Sequence, residues 1–391
     1  MGSSTTSSAS TSPAHRPAIP EIPVLGFDVV EFWVGNAKQA AHYYHHAFGF
    51  DIVAYQGPET GHRQTSSYML RQQDICLRFT SALSPDHPVS EHVKAHGDGV
   101  KDIGFRVADV QEAYAMATDR GAKGLCAPST EQDAHGSLTK ATIATYGQTT
   151  HTFVNRQNYS GAFEPGFTPY QQATPARPTG LVRVDHVVGN LGQGELPQWV
   201  DFYETVFGFF VFRDYDETDI STDYSALISK VMANASLTIK MPLNAPAQSK
   251  GGKKSQIQEF VDYYGCPGVQ HLALITSNIV ETVAELRHRN VELMAVPKNY
   301  YAHVEERVGA ILEPLDRLAE LGIIVDLEEG EEPDSEAVQD YMLQIFTLPL
   351  QDRPTFFFEI IQRAGATGFG KGNFKALFEA IERDQAKRGN L

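Results

Sequence analysis

Two histidines and one glutamate in the second half of the chain carry the clearest chemistry: His186 in VRVDHVV, His271 in GVQHLALI and Glu359 in FFFEIIQ. Each stretch has strand-like alternation, in which every second side chain turns to one face. A carboxylate among Phe356, Phe357, Phe358, Ile360 and Ile361 is costly to bury unless it meets a cation. Two imidazoles and one carboxylate on three strands form the facial donor set of a mononuclear Fe(II) centre. Three positions then stay open on an octahedral ion, enough for a bidentate substrate and O2. Taken singly, a strand histidine is more often a hydrogen-bonded core residue, and a buried glutamate is often paired with an arginine.

An internal repeat argues for treating the three together. FDVVEFWVGN (27–36) leads through a helix-like stretch to AFGFDIVAY (47–55), and VRVDHVVGN (182–190) leads through QWVDFYETVFGFFVF to Asp214. Likewise GVKDIGFRVADVQEAYAMATDRGAKGL (99–125) matches GVQHLALITSNIVETVAELRHRNVELM (268–294), and THTFVNR (150–156) matches FFFEIIQR (356–363) more weakly. Aligned on these motifs, Phe32 stands opposite His186, Asp102 opposite His271, and Thr152 opposite Glu359. One copy folds without the candidate ligands, so packing alone does not demand them.

Each copy reads as strand, helix and further strands, twice over. The expectation is an α+β chain of tandem βαβββ modules forming two open barrel-like domains, with a helix at the C-terminus covering the site. This resembles the vicinal oxygen chelate architecture of glyoxalases and extradiol dioxygenases. The expected division is a disordered tail over 1–20, a metal-free domain over 21–160, a linker over 161–180 and a catalytic domain over 181–391. The linker SGAFEPGFTPYQQATPARPTG (160–180) is rich in Pro, Gly and Thr.

Bulk properties narrow the partners. A chain of 391 residues, 42% hydrophobic and 20% charged, is globular and long enough for two domains. Its net charge of −16 argues against nucleic acid. No apolar run approaches the ~20 residues of a membrane helix. Three cysteines without CxxC spacing suggest neither disulfides nor a thiolate metal site, and point to a reducing, cytoplasmic setting. The opening MGSSTTSSASTSPAHRP has no apolar core for a secretion signal and, with Arg16 alone, little of a transit peptide.

From about Gly180 onward the motifs VDHVVGN, KSQIQEF (254–260), GVQHLAL, LQIFTLPLQDRPTFFFEIIQR (343–363) and GFGKGNFKALFEAIERDQAKRGNL (368–391) resemble the 4-hydroxyphenylpyruvate dioxygenase family. The resemblance extends more loosely to about residue 20. It implies conversion of 4-hydroxyphenylpyruvate and O2 to homogentisate and CO2 in tyrosine and phenylalanine breakdown. The keto acid supplies its own two electrons, and family members are commonly homo-oligomers, dimers or tetramers.

The same resemblance implies an amide set of Gln256, Gln270 and Gln344 near the reacting groups. Ser225, Pro242 and Asn244 would meet the phenol end, Phe346, Phe357, Phe369 and Phe374 would form the apolar walls, and Asn373 would also belong to the substrate pocket. Chain inserted between Ser225 and Pro242 weakens the Ser225 match. The spacing Phe374, Leu377, Phe378, Ile381 predicts a helix, with Asn373 as its N-cap. In the family this helix closes over the metal.

Three other signals are set aside. GATGFGKG (365–372) nearly spells a phosphate loop, but Gly372 stands where Ser or Thr must be, and too little chain follows for a βαβ unit. His42, His45 and His46 read as a helix face, and EEGEEPDSE (328–336) as a solvated loop. Two alternatives stay open. A 4-hydroxymandelate synthase would use the same substrate and triad but hydroxylate the benzylic carbon. A metal-free ligand-binding protein of this fold would retain no metal.

Overall fold

The computed structural model describes residues 19–172, 174–217, 226–247, 253–334 and 337–390, without the side chains of 374–376. The first half supplies β1 (Val24–Trp33), β2 (Asp51–Gln56), β3 (Thr65–Gln72), β4 (Ile75–Ala82), β5 (Gly99–Val107), β6 (Gly124–Asp133), β7 (Gly136–Ala144), β8 (Thr150–Asn155) and β9 (Thr168–Pro169). The second supplies β10 (Leu181–Asn190), β11 (Phe210–Tyr215), β12 (Ala226–Ala233), β13 (Lys240–Ala247), β14 (Gly268–Thr276), β15 (Ile324–Leu327), β16 (Tyr341–Phe346) and β17 (Phe357–Ala364).

The two sheets have the same strand order. It runs β6-β7-β8-β5-β1-β4-β3-β2 in the first, with β9 added at the edge, and β15-β16-β17-β14-β10-β13-β12-β11 in the second. Helices Ala37–Phe48 and Val110–Asp119 follow the first strand of each module in one half, and Leu196–Phe202 and Ile279–His288 do so in the other. The expected tandem βαβββ architecture is therefore present. The repeated Phe-Gly-Phe marks the reversal after a helix: Gly49 and Gly208 adopt φ of 77° and 71°, which a side chain would resist.

Strand alternation divides the residues of β17. Phe356, just before the strand, and Phe358 and Ile360 join the main core, where the Phe356 ring meets Phe32 edge-on at 5.0 Å and Phe358 meets Phe48 at 5.2 Å. Phe357 and Glu359 turn the other way. Residues 163–169 of the expected linker pack with the first sheet: β9 pairs with β2, and Phe163 and Phe167 cluster with Val29, Ala54 and Met69. No helix among the described residues is long and apolar enough to cross a membrane. Most of the expected tail, residues 1–18, lies outside the described residues.

The register corrects one equivalence. Glu31 pairs with Asp102 as Val188 pairs with His271, and Gly104 pairs with Thr152 as Ala273 pairs with Glu359. Asp102 and Thr152 therefore do occupy the places of His271 and Glu359, but the place of His186 is held by Val29, not Phe32. Matching the two Gly-Asn pairs was misleading. Asn36 lies beyond its strand and caps the next helix by accepting from the Gln39 amide, whereas Asn190 is still within β10.

Candidate metal centre

His186 pairs with Ala273 on β14, and Ala273 pairs with Glu359 on β17, so the three lie in one row across three adjacent strands. The small Ala273 side chain leaves room into which its neighbours lean. His271 lies two residues earlier on β14. Nε2 of His186 is 3.2 Å, and Nε2 of His271 3.4 Å, from Oε2 of Glu359. One donor atom from each residue falls within 4.8 Å of the others, and all three residues are buried. This is the only such cluster of His, Cys, Asp and Glu found among the described residues. Two imidazoles and a carboxylate converging in a buried site fit a resident divalent cation.

Each ligand is oriented from behind. Nδ1 of His186 faces Asp185 Oδ2 at 2.9 Å, and Nδ1 of His271 faces Gln270 Oε1 at 3.0 Å. These contacts leave each Nε2 facing the point where the three donors converge, as a metal ligand would. Gln344 Nε2 donates to Glu359 Oε1 at 2.9 Å, leaving Oε2 toward the histidines. Asp185 accepts from Arg363 at 2.8 and 3.1 Å and from Lys240 at 3.2 Å. Asp28 and Arg156 form the same pair in the first half at 2.9 Å, so this brace is part of the duplicated scaffold.

The electrostatics follow from that crowding. Burial pushes the Glu359 carboxyl up, but the charge of His186 and hydrogen bonds from both imidazoles outweigh it and hold it far below its usual range. Burial works against a charged His186, yet Glu359 and Asp185 reverse this and raise it. His271 stays lowered, chiefly by burial. The site therefore concentrates negative charge where a cation would sit.

A mainly apolar cavity opens from the triad. Pro242, Asn244, Gln344, Phe346, Phe369 and Asn373 line it, as do Val188, Tyr215, Ser229, Val231, Gly370 and Leu377. Phe369 meets His186 edge-on at 5.0 Å, and Phe357 stacks on His271 at 4.8 Å. Phe357 and Gln270 both contact His271, and neither is among the residues lining this cavity. Gln256 is buried in the first turn of helix Gln256–Tyr264 and is not among the lining residues. Ser225 and the side chain of Phe374 lie outside the described residues.

Asn373 does not cap its helix. The helix runs Lys371–Lys387 from Gly370, and Asp326 accepts the Gly372 and Asn373 amides at 2.5 and 3.2 Å. A carboxylate from β15 thus does what a local cap would, and frees the Asn373 side chain to reach Gln344 at 2.9 Å. Sequence reasoning missed Ser229 and Val231, which pair across the sheet with the recognised Asn244 and Pro242. Strand alternation could have found them. It also missed Asp185, although the shared Asp-Val and Asp-His spellings of the repeat, each matched by a later Arg, carried that signal.

Known proteins resemble this chain in sequence and in fold. Residues 20–164 match the family profile described as Hydroxyphenylpyruvate dioxygenase, N-terminal, and residues 183–316 that of the Glyoxalase/Bleomycin resistance protein/Dioxygenase superfamily. A 4-hydroxyphenylpyruvate dioxygenase of Dictyostelium discoideum is 47% identical over 376 residues, spanning 94% of this chain and 100% of the relative. One of Danio rerio is 47% identical, spanning 94% of this chain and 92% of the relative. Among solved structures, a triple mutant of 4-hydroxymandelate synthase from Streptomyces coelicolor superposes with a TM-score of 0.80 at 30% identity, covering 93% of this chain and 99% of that one. With such relatives spanning nearly its whole length, the chain belongs to the 4-hydroxyphenylpyruvate dioxygenase family.

Proposed function

We propose that the protein is an Fe(II)-dependent 4-hydroxyphenylpyruvate dioxygenase that forms homogentisate and CO2 from 4-hydroxyphenylpyruvate and O2. The observation that carries this is the buried two-histidine, one-glutamate cluster opening onto an aromatic-walled cavity, in a chain 43–47% identical to enzymes of that name. Bound iron would supply two-electron oxygen chemistry and a Lewis-acid anchor for the 2-oxo acid; His186, His271 and Glu359 would hold it.

The chain's own residues do the rest. Asp185 and Gln270 fix the two imidazole rings. Gln344 holds one Glu359 oxygen and stands within the cavity to orient the substrate's carboxylate end. Phe346, Phe369 and Leu377 exclude water, and Pro242, Val231, Ser229 and Asn244 form the wall suited to the ring and its phenol. Gln256 completes the amide set in this reading, from a helix start where Ile257 clusters with Phe369, Val231 and Tyr215. Tyrosine and phenylalanine catabolism, a cytoplasmic setting and a homo-oligomer complete the proposal.

A second reading, 4-hydroxymandelate synthase, is supported by the 0.80 TM-score to that enzyme, but its 30% identity is well below that of the dioxygenases. The test is anaerobic reconstitution with Fe(II), addition of 4-hydroxyphenylpyruvate and O2, and chromatography of the product. Homogentisate with equimolar CO2 supports the proposal. Hydroxymandelate would replace it with the second reading, and no turnover by metal-loaded protein would leave a ligand-binding role.

A further inference from the structure

The triad is buried beneath the start of the last helix, where Gly370, Asn373 and Leu377 line the cavity. How that helix is fastened therefore bears on the metal. Asp326 accepts its first amides and also receives Arg307 Nη1 at 2.8 Å. The approach is close. A Cβ on Gly370 would lie 2.4 Å from Gln344 Oε1, and one on Gly372 2.4 Å from Asp326 Oδ1. The glycine-rich run that mimics a phosphate loop serves instead to bring a helix against a carboxylate and an amide.

From Arg307 a directed chain of hydrogen bonds reaches the triad. Its guanidinium can only donate, and it does so to the Tyr300 hydroxyl at 2.6 Å and to the Val325 carbonyl at 2.7 Å. The hydroxyl also accepts from the Val325 amide at 2.9 Å, and its one proton is shared between Asn373 Oδ1 at 2.8 Å and the Val325 carbonyl at 2.9 Å, so Asn373 turns its oxygen to the phenol. The Asn373 amide must then point its nitrogen at Gln344 Oε1, 2.9 Å away. Gln344 in turn points its own nitrogen at Glu359 Oε1, at 2.9 Å. Reversing either amide would set a carbonyl oxygen against an acceptor.

We infer that Tyr300, Arg307 and Asp326 form a latch, coupling closure of helix Lys371–Lys387 to the orientation of the Glu359 carboxylate. They are positioning residues that act through Asn373 and Gln344. Docking the helix completes the donor chain and presents Glu359 Oε2 to the metal; lifting it breaks the chain at Asn373. The inference rests on the metal-centre reading above, and its test does not depend on which product forms.

The experiment compares Tyr300→Phe, Arg307→Gln and the milder Arg307→Lys with the wild type. Two quantities are read in Co(II)-loaded protein without substrate: the rate of proteolytic cleavage within the last helix and the rate of metal release to a chelator. Tyr300→Phe and Arg307→Gln should raise both by roughly tenfold, and Arg307→Lys by less. Unchanged rates overturn the latch. Faster cleavage with unchanged metal release also overturns it, since the helix would then be fastened but not coupled to Glu359. Should Arg307→Gln fail to fold, Tyr300→Phe, which keeps the ring, decides the matter. Failure of wild-type protein to retain metal would instead sink the metal-centre reading.

Discussion

Oδ2 of Asp185 lies 2.9 Å from Nδ1 of the adjoining His186, with the carboxylate gripped from behind by Arg363 and Lys240. Its side chain is 1% exposed, so these partners rather than bulk solvent balance its charge. Burial would raise it, but His186 and Arg363 outweigh that and hold it well below the usual range. The candidate ligand and its brace are thus neighbours in sequence, with Asp185 at Nδ1 of the ring and Glu359 at Nε2.

Asp185→Asn should leave two buried cations poorly paired and cost about 3–5 kcal/mol of stability. It should also weaken metal binding about 10–100-fold by loosening the His186 ring. Asp28→Asn removes the equivalent brace in the first half. It should lower stability without changing metal affinity. Thermal melts and metal titrations of the two variants check this, and equal loss of affinity in both would count against a local role for Asp185.

Metal addition should stabilise the protein by mass action, about 2.7 kcal/mol at a hundredfold excess over Kd. In Glu359→Ala or His186→Ala the melting temperature should not respond to Fe(II) or Co(II). Turnover should be lost in both. A retained metal-induced shift in Glu359→Ala would show that the ligand set is wrong.

His151, fully buried in the first half and facing the Tyr203 hydroxyl at 2.7 Å, is lowered to about 3 by burial. A histidine neutral when folded but protonated when unfolded makes the native state lose stability as pH falls below its unfolded value of about 6.5. The loss should approach ~1.4 kcal/mol per pH unit at its steepest and level off near the folded value. Asp102 has the opposite sense of pH effect: burial raises it to about 7, so its contribution declines as pH rises toward that value. Both effects fall between about pH 4 and 7 with opposite signs, so in denaturant unfolding against pH His151→Gln should lessen the loss of stability on acidification there and Asp102→Asn should deepen it.

Gly370 combines a φ of 75° with the tight approach to Gln344. Gly370→Ala should shift the start of the last helix and displace the Gln344 amide. Turnover should drop roughly tenfold, the equivalent of about 1.4 kcal/mol in the barrier, while the global melt changes little. Steady-state kinetics beside calorimetry would check this; unchanged kcat would mean the helix start adjusts freely.

The triad was legible because its signals are local: an alternating strand around each residue and a sister copy lacking them. Fold class was legible for the same reason, through repeated strand and helix patterns. The Phe32 equivalence failed because Gly-Asn is spelled alike in both halves but ends a strand in one and continues it in the other. Asn373 was misread because its cap is a carboxylate 47 residues away, on a different strand. Asp185 with Arg363 spans 178 residues, and Tyr300 with Asn373 spans 73, separations over which no periodicity speaks.

The first half repeats the strand order, the small residue between ligand places, and the Asp-Arg brace, yet puts Val29, Asp102 and Thr152 where the triad stands. There Thr150 and Thr152 donate to Asp102 at 2.6 and 2.8 Å. Every molecule therefore carries a twin of its triad-bearing half in which the three donors are replaced, joined covalently and exposed to the same solvent, temperature and age. Hydrogen exchange measured on both halves at once gives an internal reference: what changes in β10, β14 and β17 but not in β1, β5 and β8 belongs to the metal, and what changes in both belongs to the scaffold.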